Sequence, residues 1–230
     1  MPASGIAIVS SHLRSQFFEG LAAADRKTIL AAATRRQFAA HSVVTNQGHP
    51  ADLFFLVTKG QARQFYITEE GKKLLLQWLG PGDLIGGRTV LSSRSTYLVS
   101  TEVLMDSAVL VWERAKIRGL VERYPRLLEN ALLAASDYIT WQLMSHISLT
   151  SYTARQRVAH VLATLARTIG EEVAGGVELH ITNEDLASAA NGTPFTASRL
   201  ISEWQRSHAM VKRRGEVLLR SPERLFLHKV

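Results

Sequence analysis

The 230 residues contain no cysteine. That absence excludes disulfides, thiolate zinc sites, cysteine nucleophiles, cysteine-ligated iron–sulfur clusters and thiolate-ligated haem together. Long apolar runs are missing too: no stretch approaches the roughly eighteen consecutive residues of a membrane span. Met1–Ser11 has no basic region leading into a hydrophobic segment. Neither secretion nor membrane association is supported, and a cytoplasmic location is expected. Catalytic signatures are equally scarce. The one Gly-Lys pair, Gly71-Lys72, has Tyr66 where a phosphate-binding loop needs its first glycine and Lys73 where it needs Ser or Thr. His-Glu-x-x-His, Gly-x-Ser-x-Gly and a His-x-His pair are all absent. The expectation is a non-enzyme without a metal site.

What is present is the composition of a globular protein, 46% hydrophobic and 20% charged. Lys and Arg number 27 against 20 Asp and Glu, a net charge of +7, which favours an anionic partner without choosing one. Eight basic residues against three acidic ones fall within Ser198–Val230, so the positive charge concentrates at that end.

Along the chain, His12–Phe38 is Ala/Leu-rich with Phe17, Leu21, Ile29 and Leu30 at helical spacing, and Asp25 is a candidate cap for a second short helix before Thr28–Thr34. From Ser42 to Trp112 short apolar runs replace this pattern: Leu53–Val57, Ala62–Ile67, Leu74–Leu79, Leu98–Leu104 and Ala108–Trp112. Separated by glycine turns, they read as the strands of a β-roll or barrel. Lys116–Arg123 is a short helix stopped by Tyr124-Pro125, and Arg126–Leu149 is a long one. On the latter, Leu127, Ala131, Ala134, Tyr138, Trp141, Ser145 and Ser148 recur at alternating 4 and 3 spacing, the pattern of a coiled-coil seam. Leu128, Leu132, Ala135, Ile139 and Leu143 form a second stripe. Two apolar faces need two partners. The reading is a dimer seam on the first stripe and packing on the roll by the second; burial of the whole helix in its own domain is the alternative. Three segments result: 1–125, the helix 126–150, and 151–230.

In the last segment Ala154–Thr168 is helical. Thr182 then caps a short helix ending at Ala190, Asn191-Gly192 turns, and Thr193 with Pro194 at the first helical position opens a helix to about Arg206. Helix, tight turn and helix make a helix-turn-helix, whose second helix enters the major groove of DNA. Met210–Leu219 reads as a hairpin, a wing with Lys212, Arg213 and Arg214 at its tip for phosphate contact. Thr182, Thr193, Phe195, Thr196, Ser198 and Arg199 complete the candidate interface.

Ile181–Ile201 resembles the winged helix-turn-helix of the Crp/Fnr family of bacterial transcription regulators. The run from Gly48 to Gly60, then Glu70-Gly71-Lys72 and Gly80 to Gly86, resembles that family's cyclic-nucleotide-binding-type β-roll, and the long helix resembles its dimerisation helix. The resemblance implies an α+β fold, with an N-terminal roll, dimerisation helix and C-terminal winged domain. It also implies a homodimer on a pseudo-palindromic operator, with DNA, a second copy of the chain and RNA polymerase as partners.

Departures from the family pattern narrow the effector. Cyclic-AMP-binding members carry Gly-Glu-Leu and, ten residues after the Glu, an Arg-Ser pair; here Gly86-Gly87-Arg88 and Tyr97-Leu98 stand at those places. The ribose carboxylate and phosphate guanidinium are both missing, which disfavours cyclic AMP. An Arg-Ser pair does occur early, at Arg94-Ser95. Tyr138, Gln142 and Leu143, with Tyr97 and Leu98, imply a mostly apolar pocket, for a hydrophobic or aromatic effector or simply filled by its own side chains. Haem is a further alternative, with His41, His49 and His146 as candidate ligands. At the recognition helix Pro194 and Phe195 replace the polar readers Arg-Glu, leaving Arg199 for guanine and Phe195 for a thymine methyl. A module that has lost DNA binding and serves protein interaction remains the competing class.

Overall fold

The computed structural model describes residues 15–91, 93–213 and 215–226. Two compact units divide the chain, Met1–Leu74 with Trp78–Trp141, and Leu75–Gln77 with Gln142–Val230. No helix among the described residues is long and apolar enough to cross a membrane.

Eight strands before residue 114, β1 (Thr34–Phe38), β2 (Val43–Thr45), β3 (Leu53–Lys59), β4 (Ala62–Ile67), β5 (Lys73–Leu79), β6 (Leu84–Ile85), β7 (Ser100–Val103) and β8 (Ser107–Glu113), make two sheets. Their orders are β1-β8-β3-β6 and β2-β7-β4-β5. The apolar runs of β3 and β8 lack polar alternation because both faces of that sheet are covered. Phe55, Val57, Val109 and Val111 pack toward Ala62, Val103 and Leu79 of the other sheet. Phe54, Leu56, Leu110 and Trp112 point the opposite way, into a cluster with Phe17, Ile29, Ile117 and Leu127. There Phe17 lies 5.1 Å from Phe54 and Phe54 6.0 Å from Trp112, between ring centroids. The Trp112 indole N–H donates to Ile29 O at 2.9 Å, which satisfies the one polar atom of that buried ring.

Before the roll, a 3-10 turn at Gln16–Phe18 and helix α1 (Ala23–Ala31) cover this cluster. Asp25 is not the cap of α1. Ala22 holds that position, and Asp25 lies in the first turn, where its charge meets the positive end of the helix. The expected helical character through Phe38 also gives way: Thr34–Phe38 is β1, an exposed, basic edge strand registered on β8 from Thr34↔Val111 to Phe38↔Ser107. His12–Arg14, at the start of that expected helical stretch, lie outside the described residues.

After β8, α2 (Arg114–Arg123) leads to α3 (Pro125–Ser151). The two stripes of α3 exist, and near its start the first of them faces the core of its own unit. Leu127 is fully buried in the aromatic cluster and Ala131 packs against the same cluster, so the 4-3 row begins as core rather than as a dimer seam. Ala134, Tyr138, Trp141 and Ser145 are half-buried. The other stripe is the solvent-facing one, with Leu132 at 69% and Ile139 at 65% exposure, and Leu128 and Leu143 also exposed. Asn130 secures the orientation, its amide donating to Phe17 O at 3.0 Å and Glu19 O at 2.9 Å.

The second unit begins its own core with α4 (Ala154–Thr168). Its N-terminus is closed by a capping box between Thr153 and Gln156. Next come β9 (Glu171–Val173), β10 (Gly176–His180), α5 (Asn183–Ala189), α6 (Pro194–Arg206), β11 (Met210–Arg213) and β12 (Glu216–Leu219). The sheet order is β11-β12-β10-β9. Leu162, Leu179, Leu186, Leu200, Trp204 and Leu219 are among its buried side chains.

Candidate nucleic-acid interface and effector loop

The two helices of the motif are set by local capping. Thr182 Oγ1 accepts from the Asp185 N–H at 3.1 Å and donates to the Asp185 carboxylate at 2.7 Å. Asn191 takes the left-handed φ of 45° that turns the chain, a conformation asparagine tolerates. Gly192 is not left-handed, and a Cβ there would meet nothing nearer than Ala187 O at 3.9 Å. Thr193 Oγ1 accepts from the Thr196 N–H at 3.1 Å, and Pro194 occupies the first helical positions, where its missing N–H costs nothing. On α6 the apolar face is buried through Ala197, Leu200, Ile201 and Trp204. The opposite face carries Phe195, 78% exposed, and Arg199, with Thr196 and Ser198 half-buried beside them.

The cations are less free than the sequence suggested. Arg199 donates to Glu203 Oε1 at 2.9 Å, while Arg155 of α4 donates to Glu203 Oε2 at 2.7 Å. One carboxylate therefore holds two guanidinium groups. Lys212, expected at the wing tip, instead donates to Asn183 Oδ1 at 2.8 Å and is half-buried. It joins the wing to the start of α5. Arg213 is exposed, 4.0 Å from Glu178, and Arg214 lies outside the described residues. Sequence reasoning missed Arg157, whose guanidinium donates to Ala190 O at 2.8 Å, Tyr152 O at 2.8 Å and Asn191 O at 3.3 Å. It ties the turn of the motif to α4, and only its i, i+33 and i, i+34 separation from that turn concealed it.

In the first unit Gly86 has φ 82°, and a Cβ there would stand 2.7 Å from Leu53 O and 3.1 Å from the Tyr97 ring. Glycine is required on both counts. Gly87 and Arg88 follow, exposed, in a 3-10 turn ending at Val90. The Tyr97 hydroxyl donates to Leu53 O at 2.7 Å and accepts from Leu53 N–H at 3.1 Å; burial pushes its pKa above the usual phenol value. Leu98 is 62% exposed, so it does not line an interior pocket, because Tyr97 turns inward and the next residue must turn out. Tyr138 and Gln142 are half-buried and Leu143 is exposed, the last two within the second unit.

The loop is latched by residues the sequence did not single out. Arg114 donates to Thr89 O at 3.0 Å, Leu91 O at 2.8 Å and Ser93 O at 3.0 Å, and Arg118 donates to Leu91 O at 3.0 Å. Arg94 and Ser95 line an open cleft of about 280 Å³ with Asp52 and Arg114. His41, His49 and His146, the candidate haem ligands, are exposed.

Comparison with known proteins agrees with this architecture at both ends. A cyclic nucleotide-binding domain model matches residues 35–124, and a Crp-like helix-turn-helix domain model matches residues 156–226. The anaerobic regulatory protein of Bacillus subtilis is 23% identical over 206 residues, covering 85% of this chain and 80% of its own. The cyclic AMP receptor protein of Thermus thermophilus is 28% identical over 189 residues, covering 81% and 84%. Among solved structures FixK2 from Bradyrhizobium japonicum superposes with a TM-score of 0.72 at 19% identity, over 84% of this chain and 95% of that one. A roll of the cyclic-nucleotide-binding type followed by a capped helix-turn-helix and wing places the chain in the Crp/Fnr family of transcription regulators, which are not enzymes.

Proposed function

We propose that the protein binds double-stranded DNA as a homodimer on a pseudo-palindromic operator, controlled by a ligand other than cyclic AMP or by none. The observation that carries the DNA reading is α6: it is N-capped, its apolar face is buried, and the face bearing Phe195, Thr196 and Arg199 is left to solvent beside the wing. An exposed phenylalanine at the start of a helix suits apolar contact with a thymine methyl, and Arg199 suits guanine. Thr193 and Ser198 supply short donors for phosphate, with Thr182 capping the helix beside them, and Arg213 extends the same reach from the wing. Dimer contact falls to the exposed stripe Leu128, Leu132, Ile139 and Leu143. RNA polymerase is a partner in this reading, as for a transcription regulator.

The effector reading rests on positions 87 and 97. A relative is named for cyclic AMP, but here no carboxylate stands at Gly87 and the Tyr97 hydroxyl is committed to Leu53. Without those charged partners a bound phosphate diester loses its strongest hydrogen bonds.

The test is selection of a site from random duplexes, followed by titration of selected and scrambled sequences at several salt concentrations. Half-sites separated by about 10 base pairs are expected. Arg199→Ala should cost about 1–3 kcal/mol and relax one position per half-site. Arg213→Ala should weaken both duplexes alike and make the salt slope shallower by about 1. Equal affinity for both duplexes, indifferent to Arg199→Ala, would replace this reading by the protein-interaction module.

A further inference from the structure

β10 and β12 are antiparallel neighbours in which His180 stands directly across from Glu216, with Glu178 two residues before His180. Leu179, Val217 and Leu219 point into the core, so the two-residue period of a strand puts Glu178, His180 and Glu216 together on the opposite face. All three are half-buried, and one ligand atom from each lies within 4.8 Å of the other two. The imidazole sits between the carboxylates: Nε2 is 3.7 Å from Glu178 Oε1, and Nδ1 is 3.5 Å from Glu216 Oε1. These separations are longer than an N–H···O hydrogen bond of about 2.7–3.2 Å. They lie nearer the edge of a coordination tetrahedron, about 3.3 Å for bonds of about 2.0–2.1 Å.

We propose that Glu178, His180 and Glu216 form a binding site for a divalent transition-metal ion of the zinc class. One imidazole nitrogen and two carboxylate oxygens are donors that a borderline ion accepts, whereas calcium and magnesium require oxygen alone and soft ions require sulfur ligands, of which this trio has none. Two carboxylates neutralise the dication, and Glu171, across from Glu178 on β9, adds a third acid to the same face. Because the two ring nitrogens face different carboxylates, closure on one ion needs one glutamate side chain to swing to the other nitrogen's side of the ring.

Arg213 gives the site a consequence. It faces Glu216 in the β11–β12 register and lies 4.0 Å from Glu178 Oε2. A dication on Glu178 takes over the charge that Arg213 now balances, and releases Arg213 toward phosphate. This coupling rests on the DNA reading above.

Chelator-treated full-length protein is titrated with Zn²⁺ by equilibrium dialysis and with Co²⁺ by visible absorption. One ion per chain at micromolar concentration is expected, with at least tenfold weaker binding in both His180→Ala and Glu216→Gln. Glu178→Gln, which preserves shape, guards against loss of fold in the alanine variant. No saturable ion, or equal binding in all three variants, overturns the site, as does an imidazole that titrates by NMR while no cobalt spectrum forms. Zn²⁺ should also strengthen operator binding at a fixed salt concentration, and not in Arg213→Ala. A loaded site with unchanged DNA affinity overturns the coupling alone. Absence of operator binding even in chelator overturns the DNA reading instead.

Discussion

Replacing Arg157 by Ala removes three hydrogen bonds from the turn that orients the recognition helix. A hydrogen bond to a charged group is worth about 1.5–3 kcal/mol net, toward the upper end when the acceptor is buried. Ala190 is buried, so its carbonyl, at the C-terminal end of α5, loses its partner outright, for about 2 kcal/mol. Tyr152 and Asn191 are exposed, and water replaces the guanidinium there, so each adds only about 0.5 kcal/mol. The sum, about 3 kcal/mol, is about two powers of ten in the opening equilibrium of the turn. Amide hydrogen exchange reads that equilibrium residue by residue. The Gly192 N–H, bonded to Ala187 O at 2.8 Å, and the Ala190 N–H, bonded to Leu186 O at 3.0 Å, are the reporters. Both should exchange about 100-fold faster in the variant. Arg157→Lys should recover about half of the loss, since a compact ammonium cannot span three carbonyls. Protection within about threefold of wild type in Arg157→Ala, together with an unchanged urea midpoint, would refute the claim that this residue holds the turn.

Glu102 gives a pH prediction. Burial alone would raise its carboxyl, but hydrogen bonds from Lys73 and Arg63 hold it below the usual value of 4.5. A depressed folded-state pKa contributes stability that is present above about 4.5 and lost as pH falls through the folded value. Urea midpoints should therefore fall more steeply below about pH 4.5 in wild type than in Glu102→Gln; parallel profiles would contradict the assignment. Leu132→Glu with Ile139→Glu should convert dimer to monomer in sedimentation while circular dichroism is retained, and an unchanged mass sinks the exposed-stripe interface. Calorimetry with cyclic AMP should give no saturable heat at micromolar ligand; tight binding would point to Arg94 as a replacement anchor.

Features determined within a few residues were legible in the sequence. The caps of Thr182 and Thr193, Pro194 at the helix start and the bounds of α4 follow from adjacent side chains, and α6 begins and ends where those signals put it. The strands β3, β4 and β8 announced themselves by apolar runs. β1 did not, since Thr34-Arg35-Arg36-Gln37-Phe38 has no apolar face and becomes a strand only because β8 offers a free edge. Periodicity on α3 revealed two stripes, but which one turns inward depends on Phe17 and Trp112, far away in the chain, receiving Leu127. The partners of the cations were hidden for the same reason: Lys212 finds Asn183 29 residues away, and Glu203, beside Arg199, also takes Arg155 from 48 residues away. The trio Glu178, His180 and Glu216 needs a strand register to exist at all.

The hydroxyl of Tyr97 serves both the N–H and the C=O of one residue, Leu53. β6 pairs with β3 only at Phe55 and Leu56, so beyond its end this phenol stands in for the peptide that a longer β6 would have presented. Position 97 is also where the family resemblance would set a phosphate-binding arginine. Restoring that arginine would take the partner from the Leu53 N–H, leave its C=O to the Thr89 hydroxyl alone, and empty the ring space beside Gly86. A single substitution toward a phosphate-binding arginine thus runs uphill through a damaged sheet, because the side chain it removes is part of how β3 ends.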